Sequence, residues 1–133
     1  MKLQLATPTI LALLAASFAL AADETSPIKQ AMGYAHKAPK SEKKISDKII
    51  EGTASEDEVK KTLDLYKAMV DAKPPKGDQA DFKSRVEKLI AATEEVEGKK
   101  PDAAAHYKEA VNCKACHTEH KAPSPSAKPT PAQ

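Results

Sequence analysis

A chain of 133 residues with a formal net charge of +2, two cysteines and no tryptophan has the size of one small domain. Few aromatic residues are interleaved with its lysines, so a nucleic-acid stacking surface is not supported. Its N-terminal apolar run falls short of the roughly 20 residues that span a bilayer, which argues against an uncleaved membrane anchor.

Residues 1–22 read as an export signal. Lys2 supplies the positive start, Ile10 to Leu20 the apolar run, and Ala19-Leu20-Ala21 the small-residue cleavage site, so the mature chain is expected to begin at Ala22 or Asp23. No cysteine lies near that site to carry a lipid. The expected product enters an exported compartment, most simply a bacterial periplasm, without stable membrane insertion once the signal is cleaved.

The folding unit is expected over residues 23–120. Its spacing of apolar residues is helical throughout, with no strand-like alternation. Pro27 behind Ser26 suits a first helical turn, and Ile28, Met32 and Ala35 then share a face until Pro39 interrupts. Ser41 could cap a further short stretch containing Ile45 and Ile49, which Gly52 closes. Ser55 with Glu58 forms a capping-box pattern ahead of Val59, Leu63, Tyr66 and Val70. The run Lys73-Pro74-Pro75-Lys76-Gly77 must be a turn, and Asp78 can cap a helix with Phe82, Val86, Leu89, Thr93 and Val96 on one stripe. After the break at Gly98 to Pro101, Asp102 opens a last helix in which His106, Ala110, Cys113 and His117 recur at helical spacing. Short connections between such helices favour antiparallel neighbours. The expected fold is all-α, an antiparallel four-helix bundle with an extra short helix or kink at residues 41–51. Residues 121–133, with Pro123, Pro125, Pro129 and Pro131 and few apolar side chains, are expected to form a disordered tail.

Near the end of that last helix stands Cys113-Lys114-Ala115-Cys116-His117. Helical positions i, i+3 and i+4 share a face, so two thiols and an imidazole project towards one partner. This C-x-x-C-H spacing reads as a covalent haem-attachment site: the thiols can add to two vinyl groups as thioethers while the imidazole reaches the iron. One haem c per chain is expected. The core is short of large side chains, with Phe82, Tyr34, Tyr66 and Tyr107 as the aromatics of the mature chain, so a large apolar ring system would fill volume they leave open.

Other uses of the same residues are weaker on physical grounds. A redox dithiol is expected beside a βαβ pattern, which this chain lacks. Zinc held by Cys113 and Cys116 with His117 or His120 would need further ligands, and there is no third cysteine to supply one. A disulfide between residues three apart would close a loop too small to restrain the unfolded chain much.

With the motif late in the chain and helices before it, the sequence resembles the class II c-type cytochromes, the cytochrome c′ family of four-helix bundles. The likeness in layout covers most of residues 26–120, and the specific motif is Cys113, Cys116 and His117. The resemblance implies thioether bonds through Cys113 and Cys116, proximal ligation by His117 and a distal side built from the first helix. Met32 stands at the position that matches the distal ligand of low-spin members; other members keep that site open. His36, one turn on, is an alternative distal ligand. Pro39 and the scarcity of aromatics depart from the family pattern. His106 is expected to be partly buried and His120 to lie on the surface.

The expected function is single-electron transfer to unidentified redox partner proteins, not enzymatic catalysis. The alternatives are a gas-binding protein that takes nitric oxide or carbon monoxide at an open distal site and, more remotely, a zinc-binding helical module. Lys29, Lys37, Lys40, Lys43, Lys44 and Lys48 against Glu42 and Asp47 give one end a locally basic character suited to an acidic partner. Members of the resembled family often dimerise, so a homodimer is also an expectation.

Overall fold

The computed structural model describes residues 26–123. The expected signal segment and all but the first residues of the proline-rich tail lie outside the described residues. The described chain is all-α, with six helices: α1 (Pro27–Ala35), α2 (Ile45–Glu51), α3 (Glu56–Met69), α4 (Gln79–Glu97), α5 (Ala103–Ala110) and α6 (Cys113–His120). None of them is long and apolar enough to cross a membrane.

Local chemistry accounts for most of the boundaries. Pro27 occupies the first turn of α1, where its missing N–H costs nothing. That helix stops at His36, whose N–H bonds to the Met32 carbonyl, three residues before Pro39 was expected to end it. Helix α2 starts at Ile45 with Lys44 at its cap, so Ser41 does not cap it; Gly52 closes it at φ +71°, a left-handed conformation that glycine adopts without a Cβ penalty. At the start of α3 the Ser55 hydroxyl accepts from the Glu58 N–H at 3.2 Å and the Glu58 carboxylate accepts from the Ser55 N–H at 2.9 Å. This reciprocal pair satisfies two backbone donors that the helix itself cannot. Asp78 does similar work for α4, accepting from the Asp81 N–H at 2.8 Å.

One expectation is corrected. The single last helix from Asp102 is broken in two at Val111 and Asn112, whose ψ angles of 67° and 76° are not helical. The Asn112 side chain accepts from the Ala115 N–H at 3.1 Å, a local bond that starts a new helix instead of continuing the old one. The C-x-x-C-H motif therefore opens α6 and does not end a long helix. His106 and Ala110 are on a different helix from Cys113 and His117.

Packing follows the apolar stripes. Helix α3 lies between α1 and α4, α4 also packs along α5, and α2 rests on α5 and α3. Ion pairs Glu56–Lys99 and Asp71–Lys83 join opposite ends of α3 and α4, which run antiparallel. The core they enclose contains Ile49, Val59, Tyr66, Met69, Phe82, Val86 and Tyr107. Tyr66 and Tyr107 are wholly buried and Phe82 nearly so, so three of the few aromatics are spent on the interior. Helix α6 touches the others mainly through α4.

Candidate functional site

The short helix α6 presents the motif. Cys113 is its first residue, free and exposed; Cys116 is free and half-buried; His117 follows it, exposed. Burial pushes the Cys116 thiol up from its ordinary pKa, and the nearby Arg85 guanidinium partly opposes this.

The expectation that His120 lies on the surface is overturned. It is only 4 % exposed and pins the end of α6 to α4: Nε2 lies 2.8 Å from Asp81 Oδ2 and Nδ1 3.3 Å from the Lys76 carbonyl. Its ring meets Phe82 edge-on at a centroid distance of 5.4 Å. The same Asp81 oxygen is 2.7 Å from Arg85 Nε, so one carboxylate holds both the Arg85 and the His120 side chains beside the motif. The turn before α4 makes room for this contact. A Cβ on Gly77, at φ +81°, would stand 2.6 Å from the Glu119 carbonyl oxygen and 2.7 Å from His120 Nδ1.

A second group joins three helices, and the linear pattern gives little sign of it. His36, at the end of α1, has Nε2 2.8 Å from the Tyr66 hydroxyl, and that hydroxyl is 2.9 Å from the hydroxyl of Tyr107. The His36 and Tyr66 rings stack at 5.9 Å with 20° between their planes. Burial, and after it the charges of His117 and Lys44, push the His36 pKa down to about 4. His36 is therefore neutral near pH 7, with one ring N–H and one lone pair. Burial also raises both tyrosines, Tyr107 to about 12, and the charge of Cys113 adds to the rise in each. The hydrogen bonds thus tie His36 at the end of α1, Tyr66 of α3 and Tyr107 of α5 into one buried chain.

Met32, the other distal candidate, is half-buried and packed against the apolar core. His106 is exposed and more open than expected, with Nδ1 2.6 Å from Glu95 Oε2, which raises its pKa. It takes no part in the site. A cleft of about 750 Å³, floored by Ile49, Val59, Val96 and Ala103, shares no residue with the motif or with the His36 group.

The donor set suits haem c. Two free thiols one turn apart, followed directly by an imidazole, match two vinyl groups and one axial position. Zinc needs about four donors converging on one point. Among the described residues no three His, Cys, Asp or Glu side chains form such a group, and His120 is already engaged by Asp81. Comparison of the chain with known protein families, with curated proteins and with solved structures finds no match.

Sequence reasoning missed Tyr66 and Tyr107 as partners of a site residue. Tyr66 could have been found: it lies on the buried stripe of α3, and a buried phenol requires a hydrogen-bond partner. Nothing in the linear pattern points from Tyr66 to His36, which lies thirty residues away.

Proposed function

We propose that this chain is an exported, periplasmic c-type cytochrome that carries single electrons between redox partner proteins. In this reading Cys113 and Cys116 hold one haem c, His117 is its proximal ligand, and Met32 or His36 supplies the distal one. The helices α1, α3, α4 and α5 would form the four-helix bundle of the class II cytochromes, with α6 as the attachment segment. The observation that carries the reading is the C-x-x-C-H on a helix whose two thiols are free.

Haem attachment needs no oxidant. Each thiol S–H adds across one vinyl double bond, the sulfur bonding to one carbon and the hydrogen going to the other. When bound, the group supplies an iron that cycles between two oxidation states. The chain's own residues do the rest. Asn112 sets the first turn of α6, and His120 and Asp81 hold its end.

The test is production of the full chain in a host that matures c-type haem. Haem should stay with the protein through acidified solvent extraction and add one haem to the mass. Haem lost to the organic phase, or zinc in its place, overturns the reading. A low-spin spectrum in both oxidation states supports the carrier, whereas a high-spin iron that binds carbon monoxide readily supports the gas-binding alternative.

A further inference from the structure

We propose that the α1–α2 loop, residues 37–44, is the docking surface for an acidic redox partner protein, contacted through Lys37, Lys40 and Lys44. That the partner is a redox protein rests on the carrier reading above; the contact itself does not require haem.

Charge singles out this loop. It carries four lysines against one carboxylate, Glu42, and all five of these residues are exposed. Lys43 and, just beyond the loop, Lys48 are spent within the chain, on Glu51 and Glu58. Lys37, Lys40 and Lys44 have no ion pair and no side-chain hydrogen bond among the described residues, so their charge is left for something outside the chain. Elsewhere cations are interleaved with carboxylates: Lys67, Lys83 and Lys99 each meet one from another part of the chain, on Glu94, Asp71 and Glu56. The structure thus narrows the basic stretch read from the sequence to three unmatched lysines.

The backbone holds these lysines in place. The His36 N–H closes α1 on the Met32 carbonyl and the His36 ring is tied to Tyr66, so Lys37 leaves directly from the packed core. The Glu42 N–H bonds to the Pro39 carbonyl at 3.0 Å, a turn with Lys40 at its tip. The Lys44 carbonyl accepts from the Asp47 and Lys48 N–H groups and so begins α2. Cations on a fixed backbone lose less entropy on docking than cations on a loose one. The chemistry that fits them is a protein surface with clustered carboxylates, because such charges speed the encounter more than they prolong it, which suits a carrier that must exchange partners. A lipid surface fits less well. The other residues of the loop, Ala38, Pro39 and Ser41, include no aromatic or long aliphatic side chain to enter a bilayer.

The test is titration of the full haem-loaded chain with a polyglutamate peptide, followed in ¹⁵N amide spectra, with the haem-free chain run alongside. Shifts should concentrate on residues 37–44 and fade as salt is raised. A triple variant, Lys37→Glu with Lys40→Glu and Lys44→Glu, should bind the peptide roughly tenfold more weakly or worse. The control triple, Lys60→Glu with Lys88→Glu and Lys108→Glu, makes the same change in net charge at exposed positions on α3, α4 and α5, and should alter the affinity by less than about threefold. The wild-type shifts need no variant to fold. The proposal is overturned if the shifts spread evenly over lysines outside the loop, if the control triple weakens binding as much as the loop triple, or if polyglutamate leaves the loop amides unshifted. Capture of the chain by vesicles of phosphatidylcholine and phosphatidylserine in that last case points to a lipid surface instead. Failure of haem to attach is a separate result: it removes the redox role of the partner, while binding of polyglutamate at the loop would remain.

Discussion

Asp81 and His120 are separated by thirty-eight intervening residues and joined by a 2.8 Å hydrogen bond that closes α6 onto the first turns of α4. The bond matters because α6 has few other supports. Both His120 nitrogens face acceptors, the Asp81 carboxylate and the Lys76 carbonyl, and the ring is buried against Phe82. Replacing His120 by Ala removes these contacts and leaves a cavity under the end of the helix. A lost buried hydrogen bond of this kind costs about 1–3 kcal/mol. In the haem-free full chain, alkylation of the half-buried Cys116 should accelerate roughly tenfold or more, since about 1.4 kcal/mol is a factor of ten in an opening equilibrium. Exposed Cys113 should react at an unchanged rate and serves as the internal reference.

The same contact gives α6 a pH dependence whose sign is fixed by Asp81. Its carboxyl is held below the ordinary range, first by the hydrogen bond from Arg85 and then by that from His120. An acid whose folded pKa is depressed binds fewer protons folded than unfolded, so its stabilising contribution is present above the unfolded value and is lost as pH falls through the folded one. Acidification below the usual aspartate range should therefore loosen α6 before it unfolds α3 and α4. Hydrogen exchange of the α6 amides, followed across that range, should show the loss in wild type and a much flatter profile in Asp81→Asn.

Gly77 makes the close approach of the two segments possible. At φ +81° an L side chain is strained, and a Cβ there would stand 2.6 Å from a backbone oxygen of Glu119, which has no flexible end to yield. Gly77→Ala should destabilise the chain by about 1–3 kcal/mol, read as a fall in the thermal midpoint. Gly33→Ala is the control. No atom outside its own helix backbone and chain neighbours lies within 4 Å of a Cβ at that position, in the interior of α1, so the midpoint should stay or rise slightly.

How much of this was readable beforehand depends on whether the cause is local. Ser55 with Glu58, Asp78 and Gly52 act within one turn of themselves, and the sequence pattern placed each of them correctly. The all-α class followed from spacing alone. The break at Val111 and Asn112 was missed because the apolar spacing from His106 to His117 is unbroken, and an asparagine that caps looks no different in sequence from one that continues a helix. The burial of His120 was missed for another reason: its partners Lys76 and Asp81 belong to a turn and helix far back in the chain. That Cys113, Cys116 and His117 share one helix was legible because their spacing spans a little more than one turn. The setting of His36 was not, since it depends on three helices meeting.

Asn112 offers the sharpest test of why the motif starts a helix. Its side-chain oxygen accepts from the Ala115 N–H, one of the first-turn donors that no carbonyl within α6 can reach. Asn112→Ala removes that acceptor, and alanine at the junction also favours running α5 and α6 together. The expected cost is about 1 kcal/mol, seen as roughly fivefold faster exchange of the Ala115 amide in the haem-free chain. Asn112→Asp should restore slow exchange, because a carboxylate accepts the same bond and also suits the positive end of the helix. Ser55→Ala separates this from a general loss of stability. It removes a cap of similar worth from α3, lowers the thermal midpoint by a comparable amount, and should leave the Ala115 amide protected. Equal acceleration of that amide in both variants would mean that Asn112 acts only through global stability and does not define the start of α6.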